Sequence, residues 1–117
     1  AQAMYDLAQR KGLHLYVAQV LQFSREVEVL RQLVEEQTYG KPLDALFQRL
    51  SARPDWAQGG WLFDREKSGL VPFDLHIHDL DVIASLFGVP EETQCRCCKG
   101  ADGSFPELYR WEYRCGG

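Results

Sequence analysis

The densest run of ionisable side chains in this 117-residue chain is Phe73-Asp74-Leu75-His76-Ile77-His78-Asp79-Leu80-Asp81. On a helix, Asp74 and His78 stand four residues apart and share a face, so the carboxylate can accept a hydrogen bond from the imidazole. Such a pair fixes the tautomer of the ring and raises its basicity. That is what a general base removing a hydroxyl proton near neutral pH requires. Two other readings compete. In one, Asp74 and Asp79 only decorate a helix N-terminus, and the histidines are surface or core filler. In the other, His76 and His78 lie on a strand, point to the same side and form the HxH pair of a metal-dependent hydrolase. The metal reading is short of ligands, because only 39 residues follow His78 and His14 is the sole remaining histidine.

The other reactive residues promise less. Cys95, Cys97, Cys98 and Cys115 all fall in the last quarter of the chain, which is not the spread of a disulfide framework. On a strand Cys97 and Cys98 point to opposite faces, and the usual zinc spacing of about two to four intervening residues is missing. These are expected to be free thiols in a reducing, cytoplasmic compartment. The aromatic ladder Tyr109, Trp111 and Tyr113 could stack a sugar or a base, but it also suits a core or an interface. No GxGxxG phosphate loop occurs anywhere. A net charge of -4 with scattered Lys and Arg provides no stripe for nucleic acid. No apolar stretch is long enough for a membrane span, and no signal peptide is recognisable.

The elements that must position these residues follow from periodicity. Ala3, Met4, Leu7 and Ala8 predict a first helix that stops at Gly12. Leu13 to Val20 is mostly apolar and reads as a buried strand, completing one αβ unit of a parallel sheet. Ser24 is a candidate N-cap for a helix carrying Val27, Leu30, Leu33 and Val34 on one face and ending at Gly40. Pro42 to Leu50 reads as a strand, and Arg53 to Leu70 as a loop packed by Trp56 and Trp61. Pro72 opens a helix that Gly88 and Pro90 close, with Leu80, Ile83, Ala84 and Phe87 on its apolar face. Strands at 92–99 and 107–115 flank the turn-rich Gly100-Ala101-Asp102-Gly103-Ser104 and predict a hairpin. Its second strand places Tyr109, Trp111, Tyr113 and Cys115 on one face, against Arg110, Glu112 and Arg114 on the other. Ala1 enters the first helix without a cap, so the chain is expected to begin in mid-domain.

The stretch from Gly12 to Gly88 resembles the middle of the Gfo/Idh/MocA oxidoreductases, the glucose-fructose oxidoreductase and inositol dehydrogenase type. Gln22-Phe23 stands at that family's RF pair, with glutamine in place of arginine, and Gly40-Lys41-Pro42-Leu43 resembles its GK-V start of the second domain. The loop W-x-D-x-x-x-S-G-G is matched loosely by Trp61, Asp64, Lys67, Ser68 and Gly69. The motif D-x-G-x-H-x-x-D stands as Asp74 to Asp81, with His76 where the family has glycine.

The resemblance implies an α+β fragment: a remnant of a nucleotide-binding Rossmann domain at 1–22, then part of a C-terminal domain at 23–117 with an open, mainly antiparallel sheet. It implies His78 as the acid/base that takes the proton of a sugar or polyol hydroxyl while hydride passes to NAD or NADP. Asp74 would be its substrate-binding and orienting neighbour, and Asp81 structural. The family's catalytic lysine, in an E-K-P motif, and the dinucleotide fingerprint would both precede Ala1, so this chain alone is expected neither to bind the cofactor nor to turn over. The competing expectation is a non-catalytic oligomerisation or interaction module. In either case a small sheet with open edges and apolar faces predicts a homodimer or higher homo-oligomer.

Overall fold

The computed structural model describes residues 1–52, 56–99 and 106–116. The architecture is α+β: helices from the first part of the chain and its middle, then an antiparallel hairpin. Helix α1, Gln2–Lys11, ends where Gly12 takes a left-handed conformation, φ 63° and ψ 29°, and its N–H caps the carbonyl of Gln9. Residues 13–19 then run without strand pairing, which corrects the buried strand expected at Leu13 to Val20. The physical reason is the lack of a ladder: the sheet of the described residues is two-stranded and formed by the hairpin alone. Tyr16 and Val17 accordingly stand in solvent.

A single 3₁₀ turn, Val20–Phe23, leads into helix α2, Arg25–Glu36. The Ser24 hydroxyl caps α2 by accepting from the Val27 N–H at 3.4 Å. Helix α2 stops at Gln37, itself left-handed at φ 50°, three residues before the expected Gly40. Residues 42–50 form no strand. Among the described residues no other strand pairs with them, and Leu43, Leu46 and Leu50 are exposed.

Between Arg53 and Leu70 a loop was expected. The described part instead folds into a 3₁₀ segment, Gln58–Phe63, and a short helix α3, Arg65–Ser68. Leu62, fully excluded from solvent, anchors it in place of Trp56 and Trp61, which remain exposed. Ser68 ties this piece together: its hydroxyl donates to the Leu62 carbonyl at 2.8 Å and accepts from the Leu70 N–H at 2.8 Å.

Helix α4, Val71–Asp74, carries Pro72 in its first turn, and helix α5, His76–Phe87, ends at Gly88. One continuous helix was expected; the chain breaks at Leu75. Val82 and Ile83 of α5, with Leu62 and Ala57, are the buried apolar residues among those described. Helix α5 packs against the 3₁₀ turn at Val20–Phe23 and against α2.

Strands β1, Pro90–Lys99, and β2, Pro106–Cys115, pair antiparallel, with Thr93 opposite Tyr113, Cys95 opposite Trp111 and Cys97 opposite Tyr109. The expected hairpin is therefore present, and its turn, residues 100–105, lies outside the described residues. The alternation on β2 holds: Tyr109, Trp111, Tyr113 and Cys115 are half-buried, while Arg110, Glu112 and Arg114 are exposed. The four cysteines are free thiols. Among the described residues no helix is long and apolar enough to cross a membrane.

Candidate active site

Three backbone features deliver Asp74 and the histidines to their places. Gly69, at φ 71°, turns the chain after α3, and a Cβ there would lie 2.7 Å from the Phe73 ring. Leu70 follows at φ 65° and ψ -164°, a region that glycine occupies readily and leucine only under strain. Leu70 stands where the S-G-G pattern would have its second glycine. The break at Leu75 then separates Asp74, the last residue of α4, from His76, the first of α5.

That break decides the partner of His78. No hydrogen bond joins Asp74 to His78, contrary to the pairing expected on one continuous helix. The Nδ1 of His78 instead meets the side-chain oxygen of Gln19, 3.1 Å away and 59 residues earlier. Among the described residues no buried side-chain nitrogen or oxygen lacks a partner. The Nε2 of His78 and the carboxylate of Asp74, neither of them hydrogen-bonded, therefore both reach solvent. A ring held at one nitrogen and open at the other can exchange a proton with a bound molecule, and a neighbouring free carboxylate can accept hydrogen bonds from a hydroxyl.

Gln22, three residues after Gln19, grips the same helix one turn further on. Its amide donates to the Asp81 carboxylate and to the Asp81 main-chain carbonyl at 3.1 Å. Its own oxygen accepts from Arg31 of α2. Asp81 is thus tied into the packing of α2, the 3₁₀ turn and α5. Sequence reading missed Gln19 as a partner, although the equal spacing of 19 to 22 and 78 to 81 was a usable signal. Residues three apart align on both a 3₁₀ turn and an α-helix.

His76 goes elsewhere. Its ring stacks on Trp111 with centroids 3.7 Å apart and planes 7° from parallel. Its Nε2 is hydrogen-bonded to the Tyr113 hydroxyl, and its Nδ1 lies 3.9 Å from Asp79. With the proton on Nδ1, the side facing that carboxylate, the phenol donates to Nε2. Asp79 is held in turn by both ends of the Arg49 guanidinium, at 2.6 and 3.2 Å. The aromatic side of β2 is therefore partly covered from within the chain by His76.

His76 and His78 lie on a helix and reach different partners, Tyr113 and Gln19. The strand that would aim both at one metal ion does not form. Among the described residues no group of three or more His, Cys, Asp or Glu could hold a metal.

Burial pushes the pKa of His76 below the ordinary histidine range; Asp79 opposes this and Arg49 adds to it. Burial likewise raises Tyr113, which keeps the phenol protonated as a donor. A histidine whose folded pKa is lowered contributes stability that is complete above its unfolded value of about 6.5 and is lost as pH falls through the folded one. The urea midpoint is accordingly expected to drop between pH 7.5 and 5. In His76→Gln the drop should be smaller, and equal slopes for both proteins would contradict the assignment.

A model of the GFO/IDH/MocA C-terminal domain matches residues 27–106. The chain belongs to the GFO/IDH/MocA family. Asp74, His78 and Asp81 all lie inside the matched span, whereas Gln19 and Gln22 precede it. No curated protein and no solved structure matches the chain. Membership in the GFO/IDH/MocA family relates the chain to oxidoreductases and agrees with its helices and open antiparallel hairpin.

Proposed function

We propose that this chain supplies the substrate side of an oxidoreductase acting on a sugar or polyol hydroxyl, with His78 as its acid/base and Asp74 as a substrate-binding carboxylate. The observation that carries the reading is the state of the His78 ring, anchored at Nδ1 by Gln19 and open at Nε2. In the oxidation direction Nε2 takes the hydroxyl proton as the carbonyl forms, and it returns the proton in reduction. Asp74, held at the end of α4, accepts a hydrogen bond from a neighbouring hydroxyl and so orients the carbon that reacts.

In the family the hydride goes to NAD or NADP. The described residues contain no βαβ crossover, and the sequence has no GxGxxG turn. We assign residues 1–22 to the end of a nucleotide-binding domain and 23–117 to the substrate domain. The test is a chimera in which this chain replaces the end of the nucleotide-binding domain and the C-terminal domain of a family dehydrogenase, assayed for reduction of NAD and NADP with a panel of sugars and polyols. Turnover of at least one polyhydroxy substrate is expected. A folded chimera that binds nucleotide yet oxidises none of them would refute the reading.

We further propose that the chain works as a homodimer or higher homo-oligomer. Its Cα radius of gyration is 17.3 Å, against about 13 Å for a compact domain of this length. Leu13, Tyr16, Val17, Val20 and Phe23, together with Leu43, Leu46 and Leu50, expose apolar surface that association would bury. Light scattering at roughly 100 micromolar, well above the dissociation constants usual for stable interfaces, should give at least twice the chain mass of 13.4 kDa. A monodisperse monomer would exclude it.

A further inference from the structure

Both Gln19 and Gln22 sit on the short turn that packs against α5, and each reaches one residue of that helix, His78 and Asp81. The turn is itself fixed, since the Gln22 N–H bonds the Gln19 carbonyl at 3.3 Å and the Ser24 N–H bonds the Leu21 carbonyl at 3.1 Å. Gln22 is locked between Arg31 and Asp81, so the turn cannot slide along α5. The Gln19 side chain therefore starts from an anchored backbone. It is half-buried, as is His78.

The atom of Gln19 nearest the ring is Oε1, which only accepts hydrogen bonds. Neutral imidazole carries one proton, on either nitrogen. If Nδ1 faces an acceptor, that proton must sit on Nδ1, and Nε2 is left with a free lone pair. We propose that Gln19 is a positioning residue for His78: its Oε1 accepts the Nδ1 proton and so makes Nε2 the basic nitrogen. The inference deepens the reading of His78 as acid/base and rests on it. It assigns to Gln19 the orienting task that the motif spacing had suggested for Asp74, and it leaves Asp74 free for substrate.

An amide suits this task differently from a carboxylate. With its oxygen turned to Nδ1, as here, it selects the tautomer without adding a negative charge to the ring's surroundings. The imidazolium that forms after proton uptake keeps the same Nδ1–H bond, so the ring need not turn between the two halves of the proton transfer.

The tautomer can be read in the full chain without turnover. In protein labelled with ¹⁵N at histidine, long-range proton–nitrogen correlation above the histidine pKa distinguishes a protonated from an unprotonated ring nitrogen. His78 is assigned by loss of its signals in His78→Asn. The expected wild-type result is a protonated Nδ1 and an unprotonated Nε2. Gln19→Leu should shift the tautomer ratio toward Nε2–H by roughly five- to tenfold, the equivalent of one ordinary hydrogen bond. Gln19→Glu, which keeps an acceptor oxygen at the same reach, should restore Nδ1–H, and the signals of His14 should not move in either variant.

A wild-type His78 protonated on Nε2 overturns the proposal by itself, even if Gln19→Leu fails to fold. So does an unchanged ratio in a folded Gln19→Leu. Failure of the catalytic reading is told apart by the chimera: there His78→Ala reports on chemistry, whereas the nitrogen spectrum reports only on the tautomer.

Discussion

Replacing His78 by alanine in an active chimera is expected to lower kcat by about 10²- to 10⁴-fold, the range that a positioned general acid/base contributes. KM should change far less, because in the proposed role the imidazole handles a proton in the transition state and adds little to ground-state binding. Asp74→Asn should show the opposite balance. The Asp74 carboxylate makes no hydrogen bond to His78, so removing its charge should act mainly through KM and leave the pH profile of kcat in place. A His78→Ala variant within threefold of the parent kcat, measured with saturating cofactor, would remove His78 from the chemistry. The comparison also separates the two carboxylate roles: a loss of kcat in Asp74→Asn as large as that in His78→Ala would mean that the two groups act as one unit.

The second large effect is on stability. Leu62→Ala is expected to cost about 2–5 kcal/mol, the range for deleting a fully buried leucine side chain and leaving a cavity. Leu62 is 0% exposed. It sits where the 3₁₀ segment Gln58–Phe63 meets α3, and its carbonyl accepts the Ser68 hydroxyl. The buried apolar residues among those described are only Ala57, Leu62, Val82 and Ile83, so this one side chain represents a large share of the core. Since whole domains are stable by roughly 5–15 kcal/mol, the variant should be close to unfolding at 37 °C. Urea denaturation followed by tryptophan fluorescence measures the change directly, and a loss below about 1 kcal/mol would show that the site collapses without a cavity.

The two effects meet in one structural requirement. Ser68, whose hydroxyl joins Leu62 to Leu70, stands just before the strained residue from which α4 departs. Packing around Leu62 therefore sets where α4 begins, and the break at Leu75 sets where His78 points. Loss of the Leu62 anchor should loosen the tautomer preference of His78 as well as the fold, although the hydrogen bonds of Ser68 run to Leu62, Asp64 and Leu70 and not to the histidine.

Much of this was legible in the residues alone. The first helix and its glycine stop, the Ser24 cap, proline in the first turn of α4 and the alternation on β2 are local properties. Each depends on side chains within about one turn or one pleat of one another, where stereochemistry acts without help from the rest of the chain. The D-x-x-x-H-x-x-D spacing from Asp74 to Asp81 likewise carried the family relationship that the matching domain model bears out.

What tertiary structure decided lies where a residue needs a partner far along the chain. Leu13 to Val20 and Pro42 to Leu50 have the composition of strands, but a strand is stable only beside another strand, and among the described residues none pairs with them. Asp74 and His78 have the spacing of a helical pair, yet the turn after Gly69 and the break at Leu75 put them on separate helices. The actual partner, Gln19, lies 59 residues away, brought in by packing of a short turn on α5 that no local rule specifies. His76 found Trp111 and Tyr113 in the same way, once the hairpin folded back over the start of α5. Local chemistry chose which side chains this segment offers, and long-range packing chose which nitrogen of His78 is left free.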